Sequence, residues 1–276
     1  MADTIVIPVP ERLLAVYVVT TSSPPDELAE HSAGGVAVDV VPVDVAPLPP
    51  AALLRAMGAS TEALARLGSA TQAVIVQSVG ALGFPPSPEI SAYVAAQAVA
   101  DACDGTVVDT VIPRVVETPR DTGDGFRLSD WVVLPHSPED DGRLWFTTKG
   151  LARFGLPELQ SHGVPDGAGN AWGAVLTGVA QVLLEQLGAA LAADATLAFV
   201  ELPAVQRISL RDIAAGYSDR SRTSDDATLD VEAEIGLAWD PAMHDGADSF
   251  LTVQAPSGAD DTWVSDVVRT LFGSAV

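Results

Sequence analysis

Along this chain the hydrophobic positions switch repeatedly between a two-residue and a 3.6-residue period, which predicts an ordered series of strands and helices. Leu13–Thr21 is a β-branched apolar run closed by Ser22-Ser23-Pro24-Pro25 and reads as a strand, followed by a short acidic helical piece, Asp26–His31. Gly34-Gly35 opens a second strand, Val36–Val45, in which Val36, Val38 and Val40 alternate with Ala37, Asp39 and Val41. The proline turn Pro47–Pro50 leads into a helical stretch, Ala51–Leu67, and Thr71–Val79 reads as the next strand. Ser87 as cap, Pro88 in the first turn and Glu89 behind it then start a helix that runs to about Ala102. Thr106–Val116 is apolar and β-branched, and Pro113 makes it an edge strand or a bulged one.

The polar, turn-forming segment Glu117–Gly125 separates an N-terminal half, residues 1–118, from a C-terminal half, residues 126–276. In the second half Phe126–His136 and Arg143–Thr148 read as a hairpin. A block rich in glycine and proline and the loop Gly163–Gly169 follow, then a long helix over Ala171–Ala192. Trp172, Val175, Leu176, Val179, Val182, Leu183 and Leu187 recur at i, i+3, i+4 and i+7 and give that helix a wide apolar face. Strands are expected at Thr196–Leu202, Val205–Leu210, Thr228–Trp239 and Ser249–Gln254, with a helical turn at Asp212–Gly216 and a closing helix at Asp260–Phe272. Within Thr228–Leu237 the residues Leu229, Val231, Ala233 and Ile235 alternate with Asp230, Glu232 and Glu234, so one sheet face is wet. A sheet with a solvated face and hairpin connections is mixed or mainly antiparallel, and the expected class is α+β: two sequential α/β halves, with a long amphipathic helix central to the second.

Composition narrows the function classes. At 276 residues the chain can bury roughly 70–75% of its unfolded surface, so no disulfide or metal is needed to stabilise it. Cys103 is the only cysteine and lies in an apolar helix, where a buried thiol is the expected state and a nucleophile is not. The first ten residues carry Asp3 and two prolines, with no basic region, which is unlike a secretory signal; with the lone cysteine this points to the cytoplasm. The apolar stretch Ala171–Ala193 holds Gln181, Glu185 and Gln186 close together on a helical wheel and reads as a buried helix, not a membrane span. Acidic residues outnumber basic ones 37 to 14, and a net charge of −23 repels a phosphate backbone, so nucleic acid is not an expected partner. The excess reads first as a solubilising surface and second as a face for a basic protein partner.

The candidate chemistry gathers in one block, Trp145–Gln160, which contains Lys149, the only lysine. If Arg143–Thr148 ends at Lys149-Gly150 and a helix or turn starts at Pro157-Glu158, then Lys149, Arg153, Glu158 and His162 converge on one rim. Such a rim could bind an anion or hold a proton donor and acceptor. The competing reading is an architectural corner: Gly150 and Gly155 supply unusual backbone angles, Phe154 and Leu159 plug the core, Pro157 fixes the turn, and Lys149 pairs with Glu158. His31, His136, His162 and His244 are scattered without metal-site spacing, and no metal or cofactor is expected. Asp39 and Asp109 each follow a valine-rich run; as carboxylates on neighbouring strands they could hold a cation, and as strand-end or turn residues they would not. No phosphate-binding glycine loop or nucleophile elbow occurs.

Phe146, Thr147, Thr148, Lys149, Gly150, Leu151, Arg153, Phe154, Gly155, Pro157, Glu158 and Leu159 together resemble a motif of bacterial proteins known only as domains of unknown function. The likeness continues loosely through His162-Gly163-Val164-Pro165 into the long helix, and weakly to Gly105 and Asp109 in the first half. It implies a shared fold without an assigned activity. Where such proteins carry His or Arg this chain has Thr147 and Lys149, so a role that needs an imidazole or a bidentate arginine does not carry over. With no recognisable catalytic set, the expected function is a non-catalytic protein-binding factor of the adaptor, accessory or immunity type. The alternative is an enzyme or sensor for an anionic small molecule.

Overall fold

The structure, a computed structural model, describes residues 4–24, 35–83, 87–123, 126–217, 225–240, 250–256 and 262–273, and of Ser87 the backbone alone. The expected helix at Asp26–His31, the Gly34 turn, the Ser87 side-chain cap, the start of the last helix at Asp260 and the histidines 31 and 244 lie outside the described residues. In chain order the elements are β1 (Thr4–Pro8), β2 (Leu13–Thr21), β3 (Val36–Pro42), α1 (Ala51–Ala56), α2 (Thr61–Ser69), β4 (Gln72–Gly80), α3 (Ser87–Cys103), β5 (Thr106–Asp109), β6 (Arg114–Val115) and β7 (His136–Pro138). Then come β8 (Leu144–Thr147), β9 (Glu158–Val164), α4 (Gly169–Ala193), β10 (Phe199–Pro203), β11 (Val205–Ser209), α5 (Leu210–Tyr217), β12 (Glu232–Trp239), β13 (Phe250–Gln254) and α6 (Trp263–Phe272). The class is α+β. The chain divides into two compact units, Pro10–Arg120 on one hand, and Met1–Val9 together with Asp121–Val276 on the other.

The Pro10–Arg120 unit is built on an antiparallel sheet in the order β3-β4-β2-β5-β6. Val18, Ala73 and Val108 on one face pack with Leu54 of α1 and Ala63 of α2, while α3 lies against β2 and β4. The helical stretch expected over Ala51–Leu67 is two helices. Gly58 takes φ +94°, a left-handed conformation that interrupts the helix, and the Ser60 hydroxyl restarts it by accepting the Ala63 N–H at 3.0 Å. The strand expected over Thr106–Val116 is likewise two, β5 and β6. The Asp109 carboxylate folds the turn between them by accepting the N–H groups of Val111 and Ile112 at 3.0 and 3.1 Å. Asp109 is therefore a turn carboxylate. Asp39 is exposed on β3, with β4 and β2 between it and β5, so the two acids do not sit on neighbouring strands.

A charged clasp closes the end of this unit. Arg120 donates to Asp109 Oδ2 at 2.5 Å and to the Tyr17 hydroxyl at 2.9 Å, and its backbone N–H donates to the Tyr93 hydroxyl at 2.6 Å. Tyr17 in turn donates to Glu89 of α3. Tyr17, Glu89, Tyr93, Asp109 and Arg120 are all buried, and the guanidinium lies 5.5 Å from the Tyr93 ring centre and 5.9 Å from that of Tyr17. One cation thus ties β2, α3 and the β5 turn to the residue where the unit ends.

The other unit carries a mixed sheet in the order β11-β12-β13-β9-β8-β7, with β13 and β9 parallel and the other neighbours antiparallel. A two-stranded ribbon, β1 with β10, turns Ile5, Ile7, Val200 and Leu202 inward. The first strand is absent from the sequence reading. Phe126–His136 is not the expected strand either: it holds a short 3-10 turn at Leu128–Asp130 and one isolated bridge, Val133 to Lys149, before β7. The strand period of Glu232–Ile235 is as expected, but it begins at Glu232, after a 3-10 turn over Ala227–Asp230.

Helix α4 is the spine of this unit, with Trp172, Val175, Leu176, Val179, Leu183 and Leu187 buried. By length and composition it is the helix among the described residues that could cross a membrane, yet it is mostly buried within the fold, as a core helix is. Its approach to α5 depends on Gly178, where an added Cβ would lie 2.7 Å from Ile213 and 2.9 Å from Ile208.

Replacing Arg120 with Met leaves Asp109 buried without its cation, and is expected to destabilise the Pro10–Arg120 unit by about 3–5 kcal/mol. Chemical denaturation measures this, and a loss below about 1 kcal/mol would show that the clasp contributes no more than a surface pair.

Candidate functional site

The block that carries the motif folds around one carboxylate. Strand β8 ends at Thr147, Gly150 takes φ 121°, and the 3-10 turn Leu151–Phe154 follows, stopped by Gly155 at φ 75°. Both glycines sit where a side chain is strained. Leu151, Phe154, Leu156 and Leu159 are buried, and the chain returns as β9 directly at Glu158, so the element after Pro157 is a strand where a helix or turn start is expected.

Glu158 is 6% exposed and accepts three hydrogen bonds: from the Thr148 hydroxyl at 2.7 Å, the Gly150 N–H at 2.8 Å and the Ala152 N–H at 3.2 Å. Two of its donors are backbone groups at the start of the 3-10 turn, the place where a helix leaves N–H groups without partners and where negative charge is favoured. Thr148 completes the lock by accepting the Leu159 N–H at 2.7 Å, while its own N–H donates to the Leu159 carbonyl at 2.8 Å. The side chains that close the corner are therefore Thr148 and Glu158. No ion pair joins Lys149 to Glu158: Lys149 is exposed and only its backbone is engaged, pairing with Val133 at 3.0 and 2.9 Å.

The four residues read as a rim are distributed as follows. Arg153 is buried, with its guanidinium 5.8 Å from the Trp131 ring centre; that ring stacks on Phe126, which meets Phe154 edge-on at 5.9 Å. Glu158 and Arg153 share the corner, and Lys149 points to solvent. His162 lies four residues further along β9, roughly 13 Å from Glu158 at strand rise. It forms a separate surface group, stacked on Trp145 with ring centres 5.6 Å apart. His162 Nδ1 is 2.8 Å from Glu139 Oε1, and the Gly163 N–H donates to Glu139 Oε2 at 2.7 Å. The His162 bond is the chief cause, with the Gly163 N–H also contributing, that holds the Glu139 carboxyl below its ordinary range.

This unit has concave surface beside the start of α4, reaching Thr148 of the corner. A groove of about 440 Å³ is lined by His136, Phe146, Asp166, Gly167, Asn170 and Tyr217 among others, and His136 stacks on Phe146 with ring centres 5.0 Å apart. A smaller pocket of about 140 Å³ is lined by Leu128, Val132, Ala180, Thr148 and Thr177, and Leu134 and Tyr217 form a wall common to both. The sequence pattern marks none of this, because the lining comes from five separated segments. Glycine enrichment at Gly163–Gly169 was the one local signal. Among the described residues no group of three or more His, Cys, Asp or Glu is placed to hold a metal. The Cys103 thiol bonds to the Val99 carbonyl at 3.0 Å within its own helix.

No family model, curated protein or solved structure matches the chain. The geometry therefore carries the functional argument.

Glu158→Ala removes three hydrogen bonds from the corner and is expected to cost at least about 2 kcal/mol, while Lys149→Ala stays within about 0.5 kcal/mol. Urea unfolding of the two variants checks this, and comparable losses for both would contradict the assignment. Glu139 titrates below its unfolded value, so its contribution to stability is present above about pH 4.3 and is lost as the pH falls through the lower folded value. Glu139→Gln is accordingly expected to reduce the acid-side loss of stability measured by urea midpoints down to about pH 3. An unchanged slope would remove Glu139 from that account.

Proposed function

We propose that this chain is a non-catalytic protein-binding factor of the bacterial cytoplasm that recognises a basic partner through its anionic exterior. The supporting observation is how six of the arginines are used. Arg120 is buried against Asp109 and Arg153 is buried over Trp131. At the surface, Arg143 pairs with Asp141, Arg207 with Glu234, Arg211 with Asp230, and Arg269 with Asp266. Cations engaged this way leave the field of exposed acids such as Asp39, Asp44, Asp140, Glu201 and Glu232 largely unopposed. A field of that sign steers a positively charged protein toward the surface and weakens as salt screens it. The motif at Trp145–Gln160 supports the same reading from the other side. With Glu158 satisfied by the corner and Arg153 buried, an anionic ligand held by Lys149, Arg153, Glu158 and His162 draws less support.

Affinity capture from extract of the native host, at low and high ionic strength, is expected to recover a discrete basic protein whose retention falls with salt. Repeating the capture with Glu232→Gln, Glu234→Gln protein is expected to lower the association rate. Recovery of no partner at either salt, or of one whose binding ignores both salt and the substitutions, would overturn the reading.

A further inference from the structure

We infer that the groove beside α4 binds a small amphipathic amine: one protonated amino group on a ring or short hydrocarbon. This goes beyond the docking of a basic protein and does not depend on it. At about 440 Å³ the groove falls within the range of small-molecule sites.

Its glycines separate into two kinds. Gly169 is crowded, since a Cβ there would lie 3.1 Å from Leu144, and one on Gly173 would make ordinary contact with Leu134 at 3.8 Å. Gly167 has neither a left-handed φ nor any atom within 4 Å of where its Cβ would be. Packing and backbone do not call for glycine there, and the effect of having one is an open groove.

The sign of the ligand follows from the lining. Asp166 is its only carboxylate, with the neutral amide of Asn170 beside it; the imidazole of His136 also lines it, and neither lysine nor arginine contributes. The start of α4 by itself would favour an anion, but Asp166 offsets that end of the helix and the whole chain carries −23. A cation is stabilised here and a carboxylate or phosphate is not.

The hydrocarbon end follows from the smaller pocket. Leu128, Val132 and Ala180 are apolar, the Thr177 and Tyr217 hydroxyls bond to each other at 3.2 Å, and the Thr148 hydroxyl is engaged by Glu158 and Leu159. With the Thr148, Thr177 and Tyr217 hydroxyls bonded internally, and Ser129 the one other polar side chain of its lining, a space of about 140 Å³ suits a largely apolar group; an apolar cavity of about 150 Å³ accepts a benzene ring. A molecule lying across the wall of Leu134 and Tyr217 therefore places its amine near Asp166 and its ring inward.

Calorimetry on the full chain with phenethylamine, 2-phenylethanol and 3-phenylpropanoate tests this, because the three share a skeleton and differ in charge. Phenethylamine is expected to bind at least about tenfold more tightly than 3-phenylpropanoate. Asp166→Asn is expected to weaken the amine by about tenfold and to leave the alcohol unchanged. Gly167→Leu fills the groove without changing charge, and is expected to keep the thermal midpoint and lose the amine. Absence of binding by all three probes, equal or tighter binding of the carboxylate, or amine binding by folded Gly167→Leu equal to that of the parent would each overturn the proposal. If Gly167→Leu does not fold, the Asp166→Asn comparison decides it alone.

Discussion

The Glu158 carboxylate is the group on which the corner of the larger unit depends. A buried carboxylate is costly unless donors surround it, and this one is surrounded by donors that have no other partner: two N–H groups at the start of a 3-10 turn and one hydroxyl. Satisfying the acid and satisfying the turn are the same event. It forces Gly150 into a conformation that suits only glycine, brings Leu151 and Phe154 into the core, and sets β9 against β8. The aromatic layer of Phe126, Trp131 and Phe154 then packs at the corner, with the Arg153 guanidinium over the Trp131 ring.

The Pro10–Arg120 unit solves the same problem differently. There a guanidinium faces Asp109 directly, donates to the Tyr17 hydroxyl and lies near the Tyr17 and Tyr93 rings, while the Tyr93 hydroxyl accepts the Arg120 backbone N–H. A pair of opposite charges is more vulnerable than a carboxylate held by backbone groups, because loss of either member leaves the other buried and uncompensated. The gain is reach: one side chain connects β2, α3 and the turn after β5, elements that have no sequence neighbourhood in common.

The elements that could be read from the sequence are those whose period is long and whose ends are marked. Leu13–Thr21 is a strand over the expected span, and α3 and α4 differ from expectation by two residues or fewer, because β-branching or a repeating apolar face persists over many residues. Where the reading departs from the structure, a short-range device decides. Gly58 divides a helix that propensity would continue, and Asp109 turns a valine-rich run back on itself. Strand β1 has five residues, and its partner β10 (Phe199–Pro203) is remote in sequence, so nothing local identifies it. The corner was half visible: Gly150, Gly155, Phe154 and Leu159 have the architectural duties their types suggest. The lock itself was not visible, because Thr148 and Glu158 are ten positions apart and ordinary in composition, and lysine and glutamate nine positions apart invite a salt bridge that the backbone donors replace.

With Glu158 absorbed into architecture, the surfaces proposed for recognition are the anionic exterior and the groove at the start of α4. The most direct test of this division is amide hydrogen exchange at Gly150, Ala152 and Leu159. If the carboxylate and Thr148 lock the corner, these three amides exchange only through opening of the whole unit, with protection matching that of the α4 core. Exchange at rates typical of an exposed turn would contradict the account and free Glu158 for a role in binding.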